Sequence, residues 1–177
     1  VMLVVAAHAR IDFLAGGFIG VDVFFVLSGF LIGTIVRDKV ASGRFSYIDF
    51  WERRVRRLAA ALVAVIGFVI LAGWWILLPS DFTELGQSIV AQSLFAANFY
   101  FWREAGYFAG PSELKPLLHL WSLAVEEQFY FVLPPVLVVL HRARGHLSWA
   151  VLGGLALASF GWSVWSTERW PDSAFFL

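Results

Sequence analysis

Residues 17–33, GFIGVDVFFVLSGFLIG, form an almost wholly apolar span that carries one acid, Asp22. An ionisable group inside a membrane helix costs at least about 2.5 kcal/mol, so it faces a bundle interior or a wet cavity with a partner. A chain built around such a span is a polytopic membrane protein with polar chemistry between its helices. The expected fold class is all-α, a polytopic transmembrane helix bundle. Hydrophobic residues make up 60% of the chain and aromatic residues 18%, well above an ordinary soluble domain.

Net charge is zero, but seven of the thirteen basic residues, Arg37, Lys39, Arg44, Arg53, Arg54, Arg56 and Arg57, fall within 21 positions. There is no cysteine, which excludes disulfide scaffolds, thiolate metal sites and cysteine nucleophiles. The four histidines have no metal-ligand spacing, and no glycine-rich phosphate loop or nucleic-acid motif is present. No metal and no nucleic-acid partner is expected.

Hydropathy places full spans at Gly17–Val36, Leu58–Pro79, Leu117–Leu140 and Trp149–Trp165. The third is expected to be interrupted near Pro134 and Pro135. Val1–Ala9 is too short to cross a core that takes roughly 20 helical residues and reads as the second half of a helix. The chain also stops within an apolar stretch at 174–177, so both ends are expected to be cuts through a larger domain. Ser46 is placed to cap a short helix ending at Leu58, with Asp49 three residues on. That helix would turn Phe50, Trp51, Val55 and Leu58 to lipid and its arginines to water. Gly29 and Gly33 allow close approach of another helix. The polar segment Gly86–Trp102 is expected not to cross, because the basic loops 37–57 and 141–146 then share one side, as the positive-inside rule prefers. Residues 37–57 would be cytoplasmic, and 80–116 and 166–177 would lie outside.

His119, Ser122, Glu126 and Tyr130 are spaced by three, four and four, which puts them on one helical face. Hydrogen bonding between helices accounts for Ser122 and Tyr130. Two adjacent acids at this depth, Glu126 and Glu127, need cations or protonation, which makes them functional candidates. His8, with an ordinary pKa near 6.5, suits proton transfer, although a histidine at a helix end is commonly an interfacial hydrogen-bonding group. The cluster Arg53, Arg54, Arg56 and Arg57 suits bidentate phosphate binding. Juxtamembrane arginines equally set topology or grip anionic head groups.

GGFIGVDVFFVLSGFLI, FWERRVRRL, ANFYFW with GYF, and LLHLWSLAVEEQFYFVLP, in that order, closely resemble the acyltransferase 3 family of integral-membrane O-acyltransferases, typified by bacterial O-antigen acetylases. The resemblance runs over the whole chain. It implies a domain of about ten helices of which residues 1–177 form the N-terminal half, set in the plasma (inner) membrane as a multi-pass protein. It further implies transfer of an acyl group, usually acetyl from acetyl-CoA, to a hydroxyl of an extracytoplasmic glycan or lipid-linked saccharide. His8 would be the catalytic proton acceptor, and the basic element within Arg53–Arg57 would bind the CoA donor. Glu126, Glu127 and Asp22 would serve structurally or in orienting the histidine. Ala59 and Ala60 stand where the family often has proline, and the family's arginine earlier in the first helix would precede Val1. The 177-residue piece alone is expected to be inactive. The rival from another class is a transporter or flippase with Asp22, His119 and Glu126 as a relay.

Overall fold

The structure, a computed structural model, describes residues 19–105, 111–142 and 145–176. The expected half-helix at Val1–Ala9 lies outside them. Seven α-helices are present among the described residues, with no strand: α1 (Ile19–Ala41), α2 (Tyr47–Ile76), α3 (Pro79–Ser93), α4 (Ala97–Arg103), α5 (Trp121–Arg142), α6 (Gly145–Arg169) and α7 (Pro171–Phe176). Segments Ile19–Ala41, Tyr47–Ile76, Leu118–His141 and Ser148–Arg169 are long and apolar enough to cross a membrane. Their outward residues include Phe30, Phe68, Trp75 and Leu157, all strongly exposed, which suits lipid rather than water.

Four sequence expectations need correction. α1 runs on past Val36 through Arg37, Asp38 and Lys39, because charged residues keep their peptide hydrogen bonds. It ends instead at Gly43, whose φ of 67° lets Arg44 N donate to Lys39 O and Gly43 N to Val40 O, a glycine C-cap. Ser46 does cap the next helix, accepting from Asp49 N at 3.2 Å, but the helix does not stop at Leu58. With alanines at 59–61 nothing breaks it, and α2 is one 30-residue rod, about 45 Å long at 1.5 Å per residue. α2 also turns Phe50 into the core and Arg54 inward, rather than facing them to lipid and water.

The fourth correction concerns the prolines. α5 continues unbroken through Pro134 and Pro135. Proline removes the bond to the carbonyl four residues back, so Pro135 frees the carbonyl of Phe131. The Tyr47 hydroxyl of α2 donates to that oxygen at 3.1 Å, while the rings of Trp51 and Phe131 lie 4.0 Å apart.

Helix directions follow from successive contacts. Along α1 and α5, Phe25 meets Trp121, Gly29 faces Phe129, and Gly33 faces Leu133, so the two helices run parallel. Tyr47 pairs with Phe131 and Arg54 with Glu127, so α2 runs antiparallel to α5. The end of α2 and the start of α5 therefore lie at the same end of the bundle, and residues 77–105 and 111–120 stay there. The segment 86–102 is split between α3 and α4, neither of them long enough to span. Both basic loops consequently share the opposite end.

α3 and α4 form a cap over the start of α5. Pro79 opens α3, and Leu85, Ser88 and Gln92 line its buried face. The chain reverses at Phe95, a non-glycine residue at φ 51°, a conformation costly for a side chain with a Cβ. Gln128 of α5 holds it by donating to Phe95 O at 2.7 Å and to Asn98 Oδ1 at 2.8 Å. Burial pushes the Tyr100 hydroxyl up to about 12, with Glu104 and Glu84 adding to the shift. It stays protonated and donates to Glu84 O. α7 closes the cap, with Phe175 and Phe176 against Trp121 and Asn98 Nδ2 donating to Phe176 O.

Tyr47→Phe removes the hydroxyl that donates to the carbonyl freed by Pro135. The expected outcome is a loss of about 1 kcal/mol, read as a lower unfolding midpoint in detergent, with Tyr47→Ala losing more because its ring packing goes too.

Candidate functional site

The capped start of α2 fixes its phase, so Tyr47, Phe50, Trp51 and Arg54 share the face toward α5. Arg54 makes a bidentate ion pair with Glu127: Nη2 contacts Oε1, and Nε donates to Oε2 at 3.1 Å. The Glu127 side chain is fully buried and that of Arg54 only 13% exposed. The guanidinium lies 3.8 Å from the centre of the Tyr130 ring, a cation–π contact. One turn along, Tyr130 donates its hydroxyl to Glu126 Oε1 at 2.7 Å. Val36 of α1 packs with Phe50 and Tyr130 in one buried cluster. α2 and α5 thus share one network holding one cation and two carboxylates, each with a polar partner, as buried charge requires.

The predicted residues separate. Glu126, Glu127 and Arg54 come together. Arg53, Arg56 and Arg57 stay on the exposed side of α2, with Arg56 paired to Glu52 at 2.7 Å. Asp22 is exposed in the first turn of α1, at the capped end of the bundle, where an acid is favoured by the helix dipole. His8 lies outside the described residues. His119 is exposed in a 3-10 turn, Leu118–Leu120, ahead of α5, and Ser122 donates to its carbonyl. The expected stripe is therefore realised inside the bundle by Glu126 and Tyr130. Among the described residues no group of three acidic or histidine side chains is arranged to hold a metal.

Sequence reasoning passed over Tyr47 and Gln128. The first could have been found by asking which donor serves the carbonyl four residues before Pro135. Gln128 carried no comparable signal, because the Phe95 conformation it supports is a tertiary feature.

Comparison with known proteins bears on this arrangement. The family described as an acyltransferase domain, acyltransferase 3, matches residues 1–177. The chain belongs to that family. Its relatives include the putative peptidoglycan O-acetyltransferase YrhL of Bacillus subtilis, 37% identical over 165 residues, 90% of this chain and 26% of that protein. The O-acetyltransferase OatA of Staphylococcus aureus is 33% identical over 143 residues, 80% of this chain and 24% of that protein. An uncharacterized protein of Haemophilus influenzae is 36% identical over 121 residues, 68% of this chain and 49% of its own length. The chain thus spans between about a quarter and a half of these relatives. No solved structure matches. Within acyltransferase 3, then, the RRVRR and AVEEQFY segments of this member are joined by the Arg54–Glu127 pair, and the multi-pass membrane character follows from its four apolar helices.

Arg54→Ala leaves Glu127 buried without its cation, so the expected loss is about 3–5 kcal/mol, measured by thermal unfolding of the purified protein in detergent. The double change Arg54→Met, Glu127→Leu should recover most of it, and Arg57→Ala should change stability by less than about 0.5 kcal/mol.

Proposed function

We propose that this chain is the N-terminal half of a membrane O-acyltransferase that moves an acyl group, acetyl in the first instance, from acyl-CoA to a hydroxyl of an extracytoplasmic glycan. The observation that carries this is the family match over the full 177 residues, supported by relatives named as O-acetyltransferases.

The bundle has the polarity such a reaction needs. Arg37, Lys39, Arg44 and the α2 arginines lie at one end, with Arg142 at the end of α5, while Arg103, Lys115 and Arg169 belong to the other. By the positive-inside rule the first end is cytoplasmic, in the plasma membrane of a bacterial cell. Acyl-CoA is cytosolic and its phosphates do not cross lipid. Arg53 and Arg57, exposed and without an ion pair among the described residues, are the groups we assign to those phosphates. Arg54 is assigned to positioning: clamped to Glu127, it fixes the phase of the helix that presents its neighbours.

In the transfer, the acceptor hydroxyl oxygen attacks the thioester carbonyl carbon, the C–S bond breaks, and the proton passes through the His8 imidazole to the leaving thiolate. A positioned base of this kind contributes about 10²- to 10⁴-fold. Glu126, next in the chain to Glu127 of the ion pair, and Asp22, at the capped end, would set the electrostatics around that histidine.

Membranes holding the full-length protein should consume labelled acetyl-CoA only when a glycan acceptor is supplied. His8→Ala should abolish acylation with expression and insertion unchanged, and normal acylation by that variant would remove His8 from the mechanism. Arg53→Gln with Arg57→Gln should raise KM for acetyl-CoA about tenfold with kcat little altered, as expected for ground-state phosphate contacts.

A further inference from the structure

At the capped end of the bundle, away from the arginine loop, the end of α4 and the α6–α7 turn border an open cleft of about 440 Å³. Each wall presents a tryptophan beside an arginine: Trp102 and Arg103 on α4, Arg169 and Trp170 on the turn. Trp102 donates its indole N–H to Ser173 Oγ at 2.9 Å, which ties the two walls together. The Arg169 guanidinium is stacked 4.7 Å from the Trp165 ring, so it is held rather than free to sweep. Asp172 completes the lining. Neither arginine has an ion pair among the described residues, and the lining carries net positive charge.

We infer that this cleft binds a saccharide bearing a carboxylate, as the acceptor subsite of the proposed acyltransferase, on which it rests. Half-exposed indoles on facing walls suit the apolar faces of a pyranose ring. Two guanidinium groups suit a carboxylate in bidentate contact, and Asp172 accepts from sugar hydroxyls. Tryptophan and arginine near a membrane interface also serve as a lipid belt. A belt needs outward side chains, however, whereas here one indole is hydrogen-bonded across a concave site and an acid sits among the cations. The site has the extracytoplasmic placement that a glycan acceptor requires on the proposed topology.

The test uses the full-length protein in phosphatidylcholine nanodiscs, with binding measured by saturation-transfer NMR. The probes are the disaccharide of N-acetylglucosamine and N-acetylmuramic acid, and neutral chitobiose. The acidic disaccharide should bind about tenfold more tightly, the effect of one or two charge-assisted hydrogen bonds. In the double variant Arg103→Gln, Arg169→Gln that preference should fall to about threefold or less, with acetyl-CoA binding unchanged. Equal affinities in the wild type, or a preference that survives the double variant, would overturn the inference. So would displacement of the disaccharide by phosphatidylglycerol added to the discs, which would make the cleft a lipid head-group site. Acyl transfer without any preference sinks the cleft alone. Preference without acyl transfer sinks the proposed activity and leaves the cleft standing.

Discussion

A carboxylate with no exposed surface is held in the helix bundle by one guanidinium, and much of the architecture is arranged around that pair. Glu127 on α5 and Arg54 on α2 can meet only if the two helices run antiparallel in one register. Tyr130 covers the guanidinium with its ring and passes its hydroxyl to Glu126, so the second acid is satisfied by the same side chain that shields the first pair. A buried ion pair is weak evidence of net stability, because desolvation offsets most of its attraction. Its better-attested effect is to penalise every alternative register, in which a charge would be stranded in a medium of low dielectric.

The α1–α5 contact works by a different force. Gly29 and Gly33 lie one turn apart and face Phe129 and Leu133, which leave room there for ordinary van der Waals packing of α5 against α1. In lipid there is little hydrophobic gain from helix association, and such packing carries the contact instead. Between them, the glycine seam and the ion pair fix α5 against both of its neighbours with one apolar and one polar device. The basic loops then fall at one end and the capped aromatic cleft at the other, which is the separation between donor and acceptor that the proposed chemistry needs.

Much of this was legible in the residues. The four apolar spans, the Ser46 cap, the close-approach glycines and the acid-bearing face of α5 all follow from periodicity and local propensity. The errors share a cause: local rules were applied where tertiary partners decide. Charges at 37–39 did not end α1, since the glycine cap six residues later governs. The prolines at 134 and 135 did not break α5, since Tyr47 supplies a donor to the freed carbonyl. The arginines were read as one cationic face, yet a single turn of helix separates Arg54, which enters the bundle, from Arg57, which stays outside. Nothing in RRVRR distinguishes them until the phase of α2 and the position of Glu127 are known. His8, on which the proposed chemistry leans most, lies outside the described residues.

The Tyr47–Phe131 bond also bears on biogenesis. α5 is a poor guest for a bilayer on its own, with two adjacent acids and two prolines that strip carbonyls of their donors. Its remedies, Arg54 and Tyr47, both sit on α2, which leaves the ribosome some 70 residues earlier. The helix that needs help is therefore made second, when its partner is already available at the translocon. Transposing the two segments in the gene would reverse that order and present the lipid with an acid whose counterion had not yet been synthesised.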